Sequence, residues 1–191
     1  MTDFIGRYYL ENTSLCDEAI KWFKENKKLA VQGHIGDKDG VRYVDENVKE
    51  SNDISLTLEE YYQHGEFFQK IFDFLWEGIQ DYIKKYEELG ACCFTIDGKI
   101  NFQHYVPPKG GFKKYHCERA TLHVSPRCLV WMIYLNTLED DGGTEFKYYN
   151  CIEKAEKGKL LIWPPDFTHT HRGLTSETEE KYILTGWYKF I

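Results

Sequence analysis

Two short stretches of the chain carry side chains that could bind one metal ion together. His116 and Glu118 are separated by one residue, and so are His169 and His171 further along the chain. In an extended strand the side chains alternate between faces, so residues separated by one point the same way. Two imidazoles from facing strands and one carboxylate would present two nitrogens and one oxygen to one side of a metal. This facial arrangement leaves the other coordination positions open and suits non-haem Fe(II) and O₂.

A basic residue follows the second stretch. Lys181 lies ten residues after His171 and opens a strand-like run that ends at Trp187. Its ammonium group could pair with the far carboxylate of a dicarboxylate co-substrate bound to the metal. The alternative is a solvated lysine on a strand. Ile183 and Thr185 share its face, however, and that face has the character of a sandwich interior, where a lysine needs an anionic partner.

These residues resemble the signature of the Fe(II)/2-oxoglutarate-dependent oxygenase superfamily, in particular its prolyl 4-hydroxylase-like branch. The family pattern is His-x-Asp/Glu, then a distal His, then a basic residue, and the chain has these elements in that order. The resemblance covers about Phe102 to Tyr188. It also takes in three further stretches, which are Tyr105–Gly111, Tyr134–Asn136 and Gly142–Phe146.

The resemblance implies that His116, Glu118 and His171 are the iron ligands. Geometry alone does not choose between His169 and His171, but the family spacing places the basic residue ten positions after the ligand, which selects His171. His169 would then pack behind the ligands or in the core. Most members of the family have Asp where this chain has Glu118, so the backbone or the rotamer must absorb one extra methylene.

The resemblance also implies the residues that bind the co-substrate. Lys181 would bind the distal carboxylate of 2-oxoglutarate, where many relatives use Arg. Tyr105 and Tyr134 match positions at which the family places tyrosines, and their phenolic hydroxyls could donate to the carboxylates. Since the chain is 16% aromatic, plain core packing is the alternative for both tyrosines.

The function implied by the resemblance is that of a dioxygenase that hydroxylates an unactivated C–H bond. The expected cofactors are Fe(II), 2-oxoglutarate and O₂, with ascorbate in addition, and the co-products are succinate and CO₂. The expected substrate is a prolyl residue in a peptide or protein. Two alternatives stay open, namely the same chemistry on a free amino acid or small metabolite, and a non-catalytic jelly-roll metal-binding module. A zinc hydrolase is disfavoured because the helical His-Glu-x-x-His motif is absent.

Composition and charge narrow the class of protein. A chain of 191 residues is expected to form one domain, long enough to bury about 70% of its unfolded surface. A net charge of −7 disfavours a nucleic-acid-binding surface. No apolar run reaches the ~20 residues that a membrane span needs, and the N-terminus lacks the features of a secretory signal. The six cysteines show no disulfide-like framework, which favours free thiols and a cytoplasmic location.

The first half of the chain is expected to be mostly helical. A helix is predicted to begin at Ser14 and to end near Asn26 to Lys28. Thr57 and Glu60 form a capping-box pattern, and a long apolar stripe predicts a helix from there to about Leu89, with a kink or a break at Gly65. The segment between these helices, 41–54, either borders the mouth of the active site, as the resemblance suggests, or is an ordinary surface loop.

The second half is expected to be a series of short strands. Asp97-Gly98 predicts a tight hairpin between Cys92–Ile96 and Lys99–Tyr105. Further strands are expected at Cys128–Asn136, Thr144–Tyr149, Lys159–Trp163 and Lys181–Phe190. Helices followed by short strands indicate an α+β, mainly β fold. We expect a double-stranded β-helix, which is a jelly-roll or cupin-like core, over residues 91–191, braced by the helical residues 1–90.

Overall fold

A computed structural model of the chain describes residues 2–36 and 39–191. Within them, the α-helices are α1 (Ser14–Glu25), α2 (Leu58–Tyr62) and α3 (Glu66–Lys85), and 3-10 turns lie at Lys27–Leu29, Glu87–Ala91, Leu122–Val124 and Phe167–His169. The strands are β1 (Gly6–Tyr9), β2 (Val31–Gln32), β3 (Ile35–Gly36), β4 (Arg42–Tyr43), β5 (Lys49–Glu50), β6 (Asn52–Leu56), β7 (Phe94–Ile96), β8 (Ile100–Tyr105), β9 (Gly111–Phe112), β10 (Arg127–Tyr134), β11 (Thr144–Phe146), β12 (Cys151–Glu153), β13 (Lys159–Trp163), β14 (His171–Gly173) and β15 (Lys181–Phe190).

The strands form one large antiparallel sheet and several small ones. The large sheet has the order β1-β13-β10-β15-β8-β6-β2, with β7 pairing along β15. A small sheet has the order β12-β11-β14, and two-stranded pairs join β3 to β4 and β5 to β9. The chain is therefore mainly β with antiparallel sheets, as predicted, and the helices precede most of the strands.

The predicted capping box is confirmed, but the long helix behind it is divided. The Thr57 hydroxyl accepts from the backbone N–H of Glu60, and the Glu60 carboxylate accepts from the backbone N–H of Thr57. The chain breaks at Gly65, whose φ of 147° is accessible mainly to glycine. The next helix, α3, ends at Lys85 and not at Leu89 as predicted, because residues 87–91 tighten into a 3-10 turn.

The large sheet has an apolar core on one face and a partly polar cavity on the other. Because side chains alternate along β10, Trp131 and Ile133 point toward the helices and pack with the apolar stripe of α3, which includes Phe68 and Ile71. Residues on the opposite face form a second apolar cluster with the small sheet, namely Val130, Met132, Tyr134, Phe146, Trp163 and Ile183. The candidate site lies on this second side.

The predicted hairpin at Asp97-Gly98 is wrong. β7 and β8 do not pair with each other; Ile96 pairs with Tyr188, and Tyr105 pairs with Lys181, so both strands lie end to end along β15. Both are antiparallel to β15 and therefore run in the same direction. The ten-residue last strand offers more hydrogen-bonding partners than a three-residue strand could.

Within the described residues, no helix is long and apolar enough to cross a membrane.

The segment 41–54 is more than a surface loop. It contains β4, β5 and the start of β6, and Arg42, Lys49 and Asp53 line the cavity described below. This position borders the candidate site, which agrees with the first of the two interpretations of the segment.

Candidate metal and co-substrate site

Backbone hydrogen bonds bring the two metal-binding stretches together. His116 and His171 form an isolated antiparallel bridge, in which each N–H donates to the other residue's carbonyl at 2.9 Å. The backbone N–H of Glu118 donates to the carbonyl of Pro165 at 2.9 Å. The stretch around His116 therefore pairs by a single bridge and does not form a longer strand. The bridge is enough to place the side chains of His116 and Glu118 beside His171.

The three predicted metal ligands converge. Oε1 of Glu118 lies 3.2 Å from Nε2 of His116 and 3.6 Å from Nε2 of His171. The potential ligand atoms all lie within 4.8 Å of one another, and within the described residues this is the group of histidine, cysteine and acidic side chains that could hold a metal. Phe112 stacks on His116 at 3.7 Å between ring centroids, which restricts the orientation of that imidazole.

The remaining ring nitrogens are oriented by carbonyl oxygens. Nδ1 of His116 lies 3.0 Å from the carbonyl of Lys114, and Nδ1 of His171 lies 2.8 Å from that of His169. A carbonyl only accepts hydrogen bonds, so each Nδ1 carries the hydrogen. In the neutral rings, each Nε2 then directs a lone pair toward Glu118. Three converging acceptors repel one another unless a cation or a proton lies among them, so the donor set fits a metal ion.

The electrostatics of these residues are those of a preformed cation site. Burial alone would raise the pKa of Glu118, but the hydrogen bond from His116 and the positive charges of His116, His171 and Arg127 lower it to about 2. Burial lowers the pKa of His171 to about 4, and the charge of His116 adds to this effect. Glu118 is thus a carboxylate and His171 a neutral imidazole at neutral pH. A metal ion that binds would accept lone pairs from the Glu118 carboxylate and the His171 imidazole.

His169 does not join this cluster. It belongs to the 3-10 turn before β14, so it does not share a strand face with His171. Nε2 of His169 lies 2.9 Å from the carbonyl oxygen of Asp3, and its Nδ1 lies 2.9 Å from the hydroxyl of Thr168. The distinction between His169 and His171, which the spacing of the two residues left open, is thus made by the turn.

Lys181 lies in the same cavity as the three converging side chains. It is 4% exposed, and its ammonium group donates to the carbonyls of Gly142 and Leu174 at 2.8 and 2.9 Å. It lies 4.8 Å above the centroid of the Tyr105 ring. No carboxylate of the described residues is within ion-pair distance of it. One ammonium hydrogen is therefore left for a further acceptor.

The pKa of Lys181 reflects the unfavourable burial of its charge. Burial lowers the pKa of Lys181 from 10.5 to about 8, and the charge of Asp141 offsets only part of this effect. A buried ammonium group that has only carbonyl partners is stabilised by an anion. The environment of Lys181 therefore fits the carboxylate of a ligand.

The two predicted tyrosines line the cavity with their hydroxyl groups already engaged. The hydroxyl of Tyr105 donates to Oε1 of Gln103 at 2.7 Å, and the hydroxyl of Tyr134 shares a hydrogen with Thr144 at 2.6 Å. Burial raises the pKa of both phenols, so both stay neutral. Tyr134 and Thr144 together can still donate one hydrogen outward. Tyr105 would have to exchange its bond to Gln103 to donate to a ligand.

The cavity has a volume of about 750 Å³, which exceeds what one metal ion and one five-carbon diacid fill. One wall is polar and lies on β6 and β8. Asp53 accepts from Lys49 at 2.6 Å and from Gln103 at 3.3 Å, and Ser55 donates to Asn101 at 2.6 Å. Inward-facing residues of a sandwich are usually apolar, so this wall is suited to a polar ligand.

Two residues around Glu118 were not predicted from the sequence. The indole N–H of Trp187 donates to Oε2 of Glu118 at 3.0 Å, and Arg127 approaches the same oxygen at 3.4 Å. Arg127 forms ion pairs with Asp97 and Glu118. The alternation of β15 places Trp187 on the face of Lys181, but the strand pairing that brings it to Glu118 cannot be read from spacing.

Comparison with known protein families points to the same kind of metal site as the geometry. The family described as "2OG-Fe(II) oxygenase superfamily" matches residues 100–189, the part of the chain that carries all six predicted site residues. Residues 100–189 are therefore similar to this superfamily. The predicted resemblance of the chain to the superfamily, and to its prolyl 4-hydroxylase-like branch, is confirmed. No curated protein sequence matches the chain.

Solved structures of prolyl hydroxylases have a similar fold. A viral collagen prolyl hydroxylase from Paramecium bursaria Chlorella virus-1, in complex with 2-oxoglutarate, is 16% identical over 98% of this chain and 97% of its own, with a TM-score of 0.62. A Trichoplax adhaerens prolyl hydroxylase bound to a hypoxia inducible factor peptide fragment is 16% identical over 98% and 84%, with a TM-score of 0.74. A Pseudomonas putida prolyl 4-hydroxylase is 16% identical over 97% and 92%, with a TM-score of 0.70.

Proposed function

We propose that this protein is a non-haem Fe(II)- and 2-oxoglutarate-dependent dioxygenase that hydroxylates an unactivated C–H bond. The observation that carries the proposal is one cavity that holds both a facial set of two imidazoles and a carboxylate and a buried lysine without an anionic partner among the described residues. The first fits a divalent metal with open positions. The second fits the far end of a dicarboxylate.

In this proposal His116, Glu118 and His171 hold Fe(II) through Nε2, Oε1 and Nε2. The two neutral imidazoles and one carboxylate leave a net positive charge on the centre, which favours an anionic co-substrate. When bound, the iron and 2-oxoglutarate together supply the oxidising chemistry that the protein's own side chains lack. The chain contributes the placement of the reactants within the cavity.

Lys181 would orient 2-oxoglutarate from the opposite end. Its one free ammonium hydrogen, together with the hydrogen shared by Tyr134 and Thr144, can donate to the distal carboxylate. The carbonyls of Gly142 and Leu174 hold the ammonium group in place. We assign Tyr105 chiefly to the packing of its ring against Lys181, since its hydroxyl hydrogen is donated to Gln103.

As substrate we propose a prolyl residue in a peptide or protein. This rests on the titles of structures with a similar fold, one of which is a complex with a peptide fragment. We also propose that residues 1–191 form a single domain with a jelly-roll core, that ascorbate supports the reaction, and that the protein is cytoplasmic.

The proposal can be tested in two stages. The protein is first titrated with Fe(II) and 2-oxoglutarate without oxygen, and we expect one of each to bind per chain. O₂ is then admitted with a panel of proline-containing peptides and, separately, free amino acids, and products are read by mass spectrometry for a gain of one oxygen and by succinate release. Hydroxylation of a free amino acid but of no peptide would overturn the peptidyl substrate and leave the dioxygenase in place.

Two variants test which residues bind the metal and which only lie near it. Glu118→Ala is expected to abolish Fe(II) binding, because it removes the one anionic ligand. His169→Ala is the matched control, since His169 lies next to the site along the chain but its ring contacts Asp3 and Thr168, and we expect it to bind iron like the wild type. Stoichiometric iron in Glu118→Ala would remove Glu118 from the metal site. Metal binding without succinate from any substrate would make the protein a metal-binding module.

A further inference from the structure

We infer that Trp187 and Arg127 restrict Glu118 to binding the metal through one oxygen, Oε1, by occupying the other. The inference rests on the proposed function, because it presumes that the three converging side chains bind a metal. It assigns Trp187 and Arg127 as positioning residues, which act through Glu118 and do not themselves touch the metal.

The two oxygens of Glu118 face different partners. Oε1 lies toward the imidazoles, 3.2 Å from Nε2 of His116 and 3.6 Å from Nε2 of His171. Oε2 lies toward the sheet, where the indole N–H of Trp187 donates to it at 3.0 Å and Arg127 approaches at 3.4 Å. The carboxylate is thus held with one oxygen on the metal side and the other on hydrogen-bond donors.

The donors are themselves held in place. The guanidinium of Arg127 lies 3.7 Å above the centre of the Trp187 ring, and its Nε donates to Asp97 at 3.2 Å. Arg127 also donates to the backbone carbonyl of Glu118 at 3.2 Å. Such a stack, tied to a carboxylate at one end and to the backbone at the other, leaves the indole little freedom to rotate. It therefore fixes the direction from which Oε2 is bound.

The consequence concerns the number of open positions on the metal. A glutamate has one more rotatable bond than an aspartate, and a free carboxylate can chelate a metal with both oxygens. A chelating Glu118 would occupy a position that 2-oxoglutarate, a water or O₂ needs. With Oε2 engaged by Trp187 and Arg127, three protein atoms bind the metal and three positions stay open. This would explain how the chain uses glutamate where aspartate is commoner in the family.

The test is Trp187→Phe, which keeps an aromatic ring under Arg127 and removes the N–H. Mn(II) replaces Fe(II), so that no turnover is needed, and the relaxation of water protons by Mn(II) reports whether the metal keeps a bound water. With saturating 2-oxoglutarate we expect one Mn(II)-bound water in the wild type and a loss of that relaxation in Trp187→Phe. The affinity for 2-oxoglutarate is expected to fall about tenfold, the lower end of the effect seen when a group that orients a metal ligand is removed.

Two further variants make the outcome specific. Trp131→Phe is the matched control, because it removes a buried indole N–H that has no hydrogen-bond partner in the described structure, and it should leave both readouts unchanged. Arg127→Gln should show a smaller effect than Trp187→Phe, since its contact to Oε2 is longer.

The results for Trp187→Phe and for the wild type test the inference and the proposed function separately. Unchanged relaxation and unchanged affinity for 2-oxoglutarate in Trp187→Phe would overturn the inference. Weaker metal binding with the bound water retained would also overturn it, because Trp187 would then only support the fold around the site. If the wild type binds neither Mn(II) nor Fe(II), the proposed function itself fails, and the wild-type titration shows this before any variant is compared.

Discussion

The carboxylate of Glu118 contacts groups on both sides, and its length makes this possible. One oxygen reaches the imidazoles of His116 and His171, and the other reaches the indole of Trp187 on β15. An aspartate at this position would be one methylene shorter and could not keep all of these contacts without a shift of the backbone. The extra methylene, which from the sequence alone is a departure from the family pattern, therefore has a structural use here.

Lys181 leads to a prediction about pH. Its buried ammonium group has a pKa of about 8, below the ordinary 10.5, because burial disfavours the charged form. If this charge binds the distal carboxylate of 2-oxoglutarate, the affinity for 2-oxoglutarate should decrease as the pH rises through about 8. An anaerobic titration with 2-oxoglutarate at pH 7, 8 and 9 measures this directly.

The matched variant for that experiment is Lys181→Arg. A guanidinium stays charged throughout this range, so the variant should bind 2-oxoglutarate with the same affinity at all three pH values. An equally flat profile in the wild type would contradict the assignment of Lys181.

The lowered pKa of Lys181 also makes the stability of the fold depend on pH. Between about pH 8 and pH 10.5 the unfolded state holds more protons at this residue, so its contribution to the free energy of unfolding rises with pH.

At the scale of elements, the loop before β15 sets the position of Lys181. The carbonyls that hold the ammonium group, those of Gly142 and Leu174, lie at the same end of the antiparallel pair of β11 and β14, just before β11 and just after β14. The carboxylate of Asp140 connects these segments, since it accepts from the hydroxyls of Ser176 and Thr178 at 3.0 Å. It also accepts from two backbone N–H groups of the same loop. The loop thus depends on one carboxylate for most of its attachment.

We therefore expect Asp140→Ala to raise the KM for 2-oxoglutarate several-fold while Fe(II) affinity stays at the wild-type value. The reason is that the loop holding Lys181 loosens while the residues around His116 are untouched. Steady-state kinetics with varied 2-oxoglutarate and an anaerobic iron titration measure the two effects. Glu139→Ala is the control, because the Glu139 side chain makes no hydrogen bond or ion pair within the described residues. Equal losses of iron and 2-oxoglutarate binding in Asp140→Ala would show a general disruption of the site.

At the scale of the whole molecule, the helices stabilise the sheet from the side opposite the site. Helix α3 packs on the large sheet, and its Phe72 meets the ring of Trp131 on β10 edge-on at 6.3 Å. The other face of β10 carries Met132 and Tyr134, which line the cavity. The apolar contacts with α3 therefore hold in place the strands on which the candidate site is built.

This arrangement predicts that a substitution on the buried face of α3 lowers the stability of the fold without changing metal binding. Leu75, on the buried face of α3, is 1% exposed, whereas its neighbour Trp76 is 57% exposed. Leu75→Ala should lower the free energy of unfolding by about 2–5 kcal/mol, the range for such a truncation in a core, while Trp76→Ala should change it by about 1 kcal/mol or less. Urea unfolding measures both. Metal affinity at low temperature should be unchanged in both variants, and a loss of it in Leu75→Ala without unfolding would show that the helix acts on the site directly.

Strands that stand out as apolar or alternating runs were predictable, and the choice of their partners was not. β13 and β15 have the bounds expected from the sequence, Lys159–Trp163 and Lys181–Phe190, because a polar or turn-forming stretch precedes each run. The hairpin expected at Asp97-Gly98 did not form, since both of its strands pair with β15. A turn signal is local, whereas the choice of partner strand depends on residues far along the chain, such as Lys181 for Tyr105 and Tyr188 for Ile96.

The residue types and spacing of His116, Glu118, His171 and Lys181 were enough to predict a metal and co-substrate chemistry, because two imidazoles and a carboxylate are ligands of a divalent metal and a lysine pairs with a carboxylate. Only the tertiary structure decided which further groups share the cavity. It turned His169 away toward Asp3, committed the hydroxyl of Tyr105 to Gln103, and brought the indole of Trp187 to Glu118. These outcomes depend on the pairing of distant strands and on the direction of single bonds, and neither property is encoded in local sequence.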